Sequence, residues 1–571
     1  MLPFCTLTEF STLHPYDFFL GLGEQSYQER QWEEAIFQYQ KVLQEKFPIT
    51  SEIYYRLSQC YLNVGDFTNY QKILELALEY YPQEGRFYFS LIFESQHQGK
   101  IEEAIVYADL AITRIPENYT FKLYKALLLP IIYQNESEII YYRQRFSQGL
   151  DNLIDDTSLA NLEELKNAMS RVTNFYISYQ AQNDLDLQKR YGNWVTQIIS
   201  ANYPQWSQPL SMPPLTPASK IKIGYASAFL HSYSGTLWLT GWLKYCDRDK
   251  FEISCYYTGD TPDKITEEFC SYSDRFYHIP FDLEKTCQQI SNDKLHVLIF
   301  PEIGMNPQIL SIAALRLAPV QCTAWGHPVT TGLPNIDYFL SSELMEKEDA
   351  ENHYSETLIR LPNIGVSYPK PKIPPLLKTR NDFQLPEHSI IYLCCQAPFK
   401  YLPQYDRIFP EIALQMPQAK FLFLRGKLLK SRLERIFTTY NLNYLDYCIF
   451  KEIPDRLGYL SINLLSDVYL DTFTWSGGNT SLEAIACHLP LVTCPGDFMR
   501  SRHTYSFLKM IDLTETIARD REEYIKIAVK LGQDKNWRDK IVKKMKENCD
   551  RLYSDRECIV GLEKFFTRLL L

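Results

Sequence analysis

The sequence predicts an array of helical repeats followed by two parallel α/β units that face each other across a cleft. Three observations predict it. Proline recurs at a period of 34 residues near the N-terminus, at Pro48, Pro82 and Pro116. A Pro- and Ser-rich stretch without periodicity, QPLSMPPLTPASK at 208–220, then breaks the helical pattern. Beyond it, short apolar runs rich in β-formers alternate with helix-like segments, in two successive series.

The repeats carry further marks. Gly65 and Gly99 keep the 34-residue spacing, with Gln31 at the equivalent place in the first unit. Ala77 and Ala111 repeat likewise, with Leu43 before them, and Tyr54, Leu57 and Tyr61, then Ile73, Leu74 and Ala77, fall at helical spacing. A glycine between two helices lets the chain turn, a small residue lets them approach, and a proline ends the second. This pattern over residues 17–118 resembles the tetratricopeptide repeat. Residues 1–125 are therefore assigned to the repeats. Residues 126–219, with EIIYYRQRFSQGLDNLI and LKNAMSRVTNFYISYQ apolar on one helical face, form a helical adaptor and linker.

The first α/β series contains KIKIGYAS, EISCYYTG, HVLIFPE and CTAWG and gives a domain over 220–375. After a second break, YPKPKIPPLLKTR at 368–380, the second series contains IIYLCC, KFLFLRG, YCIFKE, DVYLDT and LPLVTCPG and gives a domain over 376–571. Two such units suggest Rossmann-like domains whose ligands sit at the carboxyl ends of the strands.

Bulk properties narrow the function. The net charge of −10 gives no general attraction to nucleic acid or to an anionic membrane. The opening MLPFCTLTEFSTLHPYDFF lacks a basic segment followed by an apolar core, so no signal peptide is expected, and no run of 18 apolar residues predicts a membrane span. The 14 cysteines include no C-x-x-C pair and read as reduced thiols of a cytoplasmic protein. No metal site is expected. The ten histidines form no H-x-x-x-H or Cys/His cluster, and the D-x-D pairs Asp184/Asp186 and Asp247/Asp249 read as solvated surface.

Three segments carry candidate chemistry. In DVYLDTFTWSGGNTSLEAIACHLPLVT (467–493) a strand runs into Gly477, Gly478, Asn479, Thr480 and Ser481, and a helix starts near Leu482. Glycines admit an anion to the backbone, and a helix N-terminus adds free N–H donors and a positive dipole end. Glu483, one turn in, offers an acceptor for ribose hydroxyls. In CCQAPFKYLPQYDRIFPEI (394–412), Gln396 and Lys400 follow a strand, and Lys400 suits a diphosphate leaving group whose charge grows during transfer. In APVQCTAWGHPVTTGLPNIDYF (318–339), His327 and the loop Thr330, Thr331 and Gly332 are placed to meet a sugar, and Pro301, Glu302 and Gly304 end a neighbouring strand. Taken alone, each segment is equally an ordinary junction or turn.

Together, in order and spacing, the repeats with APVQ…WGHPVTTG…DYF, HYSETLIRLP, the Lys400 region and DVYLDT…GGNTSLEAI resemble the O-linked N-acetylglucosamine transferase family, with its Spindly-type and bacterial relatives. The resemblance covers the repeats and most of 220–515. It implies a GT-B architecture of two Rossmann-like domains, with the terminal stretch 541–571 crossing back to the earlier one. It also implies inverting, metal-independent transfer from a uridine-diphosphate sugar with no further cofactor. By position it gives Lys400 the donor diphosphate and Asn479 and Thr480 the phosphates. Glu483 and Arg456 take the ribose, Tyr459 stacks on uracil, and Pro454 presents its backbone to the base. Two departures stand out. Tyr233 occupies the place where relatives carry a histidine near the catalytic centre, with His231 two residues earlier, so the general base stays open between readings. Ile462 stands where some relatives have an arginine.

The function expected is transfer of N-acetylglucosamine or another hexose to a protein or peptide, on Ser or Thr, with the repeats recognising the acceptor. A glycan or small-molecule acceptor, or a non-catalytic repeat scaffold, are the alternatives. Lys400, Gly477, Asn479 and Thr480 occurring together speak against the scaffold.

Overall fold

The computed structural model describes residues 14–45, 47–216 and 219–570. The signal-peptide reading falls mainly on residues 1–13, outside the described residues. The chain divides into two compact units, one up to Pro130 and one from Ile131 onward.

The first unit is all helical. Its antiparallel pairs are α1 (Pro15–Gln28) with α2 (Trp32–Gln44), α3 (Ser51–Asn63) with α4 (Phe67–Tyr80), and α5 (Gly85–His97) with α6 (Ile101–Arg114), followed by α7 (Tyr119–Leu127). Gly65 and Gly99 make the turns inside the second and third pairs at φ +77° and +76°. The next N–H then closes back on the finished helix, Asp66 N to Tyr61 O at 2.9 Å and Lys100 N to Ser95 O at 2.8 Å. In the first pair the left-handed residue is Arg30, at φ +58°, and Gln31 N closes on Ser26 O at 2.8 Å. Arg30, not Gln31, is thus the counterpart of Gly65, because the first spacing is one residue longer than the period. Ala77, Ala104, Ala108 and Ala111 are fully buried, as close helix approach requires.

The second unit opens with helices Glu136–Asp155, Leu162–Met169 and Leu185–Asn202 and a 3-10 turn, Phe175–Gln180. A seven-stranded sheet follows: β1 (Ile221–Ser227), β2 (Phe251–Tyr257), β3 (Arg275–His278), β4 (Val297–Phe300), β5 (Val320–Ala324), β6 (Tyr338–Ser342) and β7 (Thr357–Leu361), in the order β3-β2-β1-β4-β5-β6-β7. A five-stranded sheet comes next: β8 (Ile390–Cys394), β9 (Ala419–Leu424), β10 (Cys448–Lys451), β11 (Val468–Leu470) and β12 (Leu491–Val492), in the order β10-β9-β8-β11-β12. All pairings are parallel. Helices cover both faces, so β4 and β11 are buried along their whole length and read as unbroken apolar runs. The strand order reverses between β1 and β4 and between β8 and β11, which opens a crevice at the carboxyl ends of each sheet.

The last helix, Glu557–Arg568, leaves the second sheet and packs on the first. Phe566 meets Phe251 with ring centroids 5.9 Å apart, Phe565 meets Tyr338 at 5.1 Å, and Glu563 accepts from Asp247 N at 2.7 Å. Just ahead of this helix, within the stretch 541–571, Asp555 accepts from Asn363 Nδ2 at 3.1 Å and Ser554 N donates to Tyr368 O at 2.9 Å. Among the described residues no helix is long and apolar enough to cross a membrane, and the described cysteines are all free.

The adaptor helices are fused to the sheets by two devices. A Cβ on Gly332 would run into the Gln188 carbonyl, and one on Gly192 into the Gly332 carbonyl, so two backbones touch where side chains are absent. Beside them Asp184 accepts from Arg143 at 2.9 Å and pairs with Arg500 at 3.2 Å. This corrects the expectation of a solvated Asp184. The residue precedes the helix Leu185–Asn202, is 2 % exposed, and neutralises two guanidinium groups from different parts of the unit. Asp186 is exposed, and Asp247 lies in a surface turn paired with Lys250 at 2.7 Å.

Candidate active site

A cleft of about 330 Å³ opens at the carboxyl ends of both sheets. Tyr233, Ser234 and Gly235 after β1, Met305 after β4 and Trp325 to Pro328 after β5 line one side. The other side is made by Cys395, Gln396, Phe399 and Lys400 after β8, Arg425 after β9, Ile453 after β10 and Trp475, Gly478, Asn479 and Thr480 after β11. The adaptor adds Phe175 and Tyr179 as a roof, with Tyr179 stacked on Trp475 at a centroid distance of 4.0 Å.

Of the residues expected from sequence, Lys400, His327, Tyr233, Gln396, Gly478, Asn479 and Thr480 line this cleft. Lys400 Nζ donates to Gln396 Oε1 at 3.2 Å and to Ser476 O at 3.3 Å, and lies 5.9 Å from the centre of the Trp475 ring. Burial lowers its pKa to about 8 against the pull of Asp471. Gln396 in turn donates to Thr480 Oγ1 at 3.0 Å and to the Tyr469 hydroxyl. The helix Asn479–Ala486 begins at Gly478 with no side-chain cap, which leaves its first N–H groups for a ligand. Asn479 donates to Ser234 O at 2.9 Å and so joins the two walls, while its Oδ1 is buried without a partner.

Gly477 does a different job from the one expected. Its N–H donates to Asp471 Oδ1 at 2.8 Å, so it is already used. A Cβ there would lie 2.6 Å from both Gln396 Nε2 and the Tyr469 hydroxyl, so glycine is needed for packing. Asp471 also accepts from Ser476 and Thr493, each at 2.7 Å, and thereby fixes the loop.

His327 is a neutral ring. Its Nδ1 faces Ile303 O at 2.9 Å, and a carbonyl only accepts, so Nδ1 carries the proton and Nε2 a lone pair. Burial pushes its pKa down to about 4. Thr330 and Thr331, expected to face the sugar, instead hold Glu356: Thr330 Oγ1 donates to it at 2.6 Å and Thr331 N at 2.7 Å. Tyr233 lines the cleft and stacks on Phe229 at 4.3 Å, whereas His231 stays out of the lining. Burial raises the Tyr233 phenol, so it is a neutral donor at neutral pH.

Pro454, Arg456, Tyr459 and Glu483 form a separate group behind the wall. Arg456 and Glu483 are ion-paired. Tyr459 is 7 % exposed, and its hydroxyl is 3.7 Å from Sγ of the lining residue Cys395. Pro454 packs against Gly458, and only its neighbour Ile453 reaches the cleft. The Tyr459 ring therefore stands within the interior rather than as an open stacking platform.

Sequence reasoning missed Tyr179, Trp325, Trp475, Arg425 and His503. Trp325 and Trp475 lie inside the quoted segments, next to the residues singled out, and an aromatic beside a glycine loop was the available signal. Tyr179 comes from the adaptor, and nothing in the sequence ties that segment to the cleft.

The model of glycosyl transferase family 41 matches residues 195–368 and 369–556, and the chain belongs to that family. It is 24% identical over 373 residues to a Petunia hybrida protein named "Probable UDP-N-acetylglucosamine--peptide N-acetylglucosaminyltransferase SPINDLY", covering 63% of this chain and 39% of that one. An Arabidopsis thaliana SPINDLY protein of the same description is 26% identical over 331 residues, covering 56% and 36%. The chain thus spans less than two fifths of the length of these curated relatives. An O-GlcNAc transferase mutant from Thermobaculum terrenum shares the fold, with a TM-score of 0.68, 21% identity and 97% of each chain covered.

Proposed function

We propose that the cleft binds a uridine-diphosphate sugar and transfers the sugar, N-acetylglucosamine or another hexose, to a protein acceptor. The observation that carries this reading is the placement of Lys400. Its ammonium is held by Gln396 Oε1 and Ser476 O beside the uncapped start of the helix Asn479–Ala486. A diphosphate there meets a cation on one side and backbone N–H groups on the other. Family membership and the names of the relatives support the same donor and a peptide acceptor.

As the acceptor hydroxyl gives up its proton to water and its oxygen bonds to the anomeric carbon, the bond from that carbon to phosphate breaks, and the nucleoside diphosphate leaves with the electron pair. Charge grows where Lys400, Asn479 and Thr480 are, so these groups bind the transition state better than the ground state. A single displacement inverts the anomeric centre. His327 lines the cleft as a neutral ring whose Nε2 lone pair faces Ser178 Oγ at 3.4 Å, and Tyr233 offers a phenol O–H on the acceptor side. Ile453 joins the cleft to Pro454, Arg456 and Glu483, the side on which the ribose and base belong, with the Tyr459 ring packed inside rather than stacked on the base. The helical repeats take the acceptor protein, on Ser or Thr, in a cytoplasmic setting.

The test is incubation of purified protein with UDP-N-acetylglucosamine and a co-expressed acceptor mixture. Release of UDP with a hexosamine mass shift on protein supports the reading. A sugar found only on a glycan or small molecule overturns the protein acceptor, and absence of both UDP binding and turnover overturns the donor.

A further inference from the structure

His503 opens the helix His503–Met510 and lines the cleft. It is 3 % exposed, and neither ring nitrogen has a hydrogen-bond partner. Leaving both nitrogens of a buried imidazole unsatisfied is costly, so such a ring in a cleft wall points to a group that arrives with a ligand.

The surroundings say what kind of group. The ring packs on Trp325 with centroids 5.1 Å apart. Burial, and after it the Lys400 charge, holds the imidazole pKa down to about 3, so the ring is neutral and carries one N–H and one lone pair. The Ser476 carbonyl that accepts from Lys400 also approaches the ring, without hydrogen-bond geometry. The first turn of the helix cannot swing away. Thr504 N donates to Ser476 Oγ at 2.9 Å, and Thr504 Oγ1 lies 2.7 Å from Ser481 Oγ, tying it to the Asp471–Ser481 loop.

We infer that His503 is a donor-binding residue whose ring N–H completes the diphosphate site opposite the Asn479–Ala486 helix, on the Lys400 side of the anion. The inference rests on the sugar-nucleotide reading above. A neutral N–H suits this place, since a second cation beside Lys400 would repel it in the empty cleft while an N–H donor does not. The Asp471 carboxylate, which acts on Lys400, already accepts from Gly477 N, Ser476 Oγ and Thr493 Oγ1.

The experiment is calorimetric titration of the full chain with UDP and, separately, uridine, for the wild type, His503→Phe and His503→Gln. His503→Phe should weaken UDP by about ten- to a hundred-fold, the scale of a hydrogen bond to a charged group. Uridine affinity should be unchanged, and His503→Gln, which keeps an N–H donor, should recover part of the loss. Should Phe not be accommodated, His503→Val reads the same UDP-to-uridine ratio. A folded variant that binds UDP like the wild type, or that loses UDP and uridine equally, overturns the assignment. So does a variant that loses only the UDP-sugar and keeps UDP, because the ring would then serve the sugar. A wild type that binds neither ligand overturns the sugar-nucleotide reading and this inference with it.

Discussion

Lys400 and Thr480 belong to different strand-to-helix loops, yet both are bonded to one side chain: Gln396 accepts from Lys400 Nζ at 3.2 Å and donates to Thr480 Oγ1 at 3.0 Å. The two sides of the expected diphosphate site are thereby set at a fixed separation before any ligand arrives. Such preorganisation is what lets electrostatic groups act without reorganising during reaction.

The pH profile follows from the Lys400 environment. Burial lowers its pKa from 10.5 to about 8, so the free protein loses the charged form as pH rises through about 8. kcat/KM should therefore be level below that pH and fall above it. A bound diphosphate favours the ammonium, so the corresponding limb in kcat should lie at higher pH. Lys400→Arg, which stays charged, should remove the limb near 8. Steady-state kinetics from pH 6 to 10 checks this, and identical limbs in wild type and Lys400→Arg would assign the titration elsewhere.

Asp184 tests the adaptor's part in the site. It neutralises Arg143 and Arg500, both bonded to it in the interior. Asp184→Ala should destabilise the second unit by about 3–5 kcal/mol, because it strands buried charge. It should also lower turnover at temperatures where the protein is still folded, since the same segment carries Tyr179 over the cleft. Urea denaturation followed by circular dichroism gives the first quantity.

Much of this arrangement was readable before the fold was known. The 34-residue period placed the repeat helices, and the change from helical periodicity to short β-rich runs placed the strands, because both signals are local. Lys400, Gln396 and the Gly477–Thr480 loop were readable because strand ends followed by glycine or lysine are local signals too. The Asp184 clamp, the Glu356 anchor for Thr330 and Thr331, and His503 were not. Each depends on which loops from distant parts of the chain meet, and residue type alone does not carry that. Gly477 shows the same limit from the other side: the sequence marks a glycine, and only the packing against Gln396 and Tyr469 says why.

Tyr459 separates interior packing from base stacking. With the ring 7 % exposed, Tyr459→Ala should cost about 3–5 kcal/mol in stability, as for a large aromatic removed from a core. A normal denaturation midpoint with UDP binding weakened by about 1–3 kcal/mol would instead mean that the ring opens to stack on the base.

Metal dependence is the next check on the donor site. If Lys400 and the helix N-terminus balance the diphosphate charge, chelator should leave the rate unchanged to within about two-fold, the scale of a minor perturbation. A rate abolished by EDTA and restored by manganese would move that charge balance to a cation.

The most direct measurement of the central claim is the turnover of Lys400→Ala with a UDP-sugar donor, alongside its UDP affinity. An interaction that strengthens as the leaving group departs raises kcat more than it lowers KM. Loss of one preorganised electrostatic donor costs about 10²–10³ in rate. The account predicts a kcat lower by that factor, a smaller change in UDP affinity, and partial recovery in Lys400→Arg. A folded Lys400→Ala protein with near-normal kcat would contradict it and leave Lys400 as a structural side chain bonded to Gln396 and Ser476.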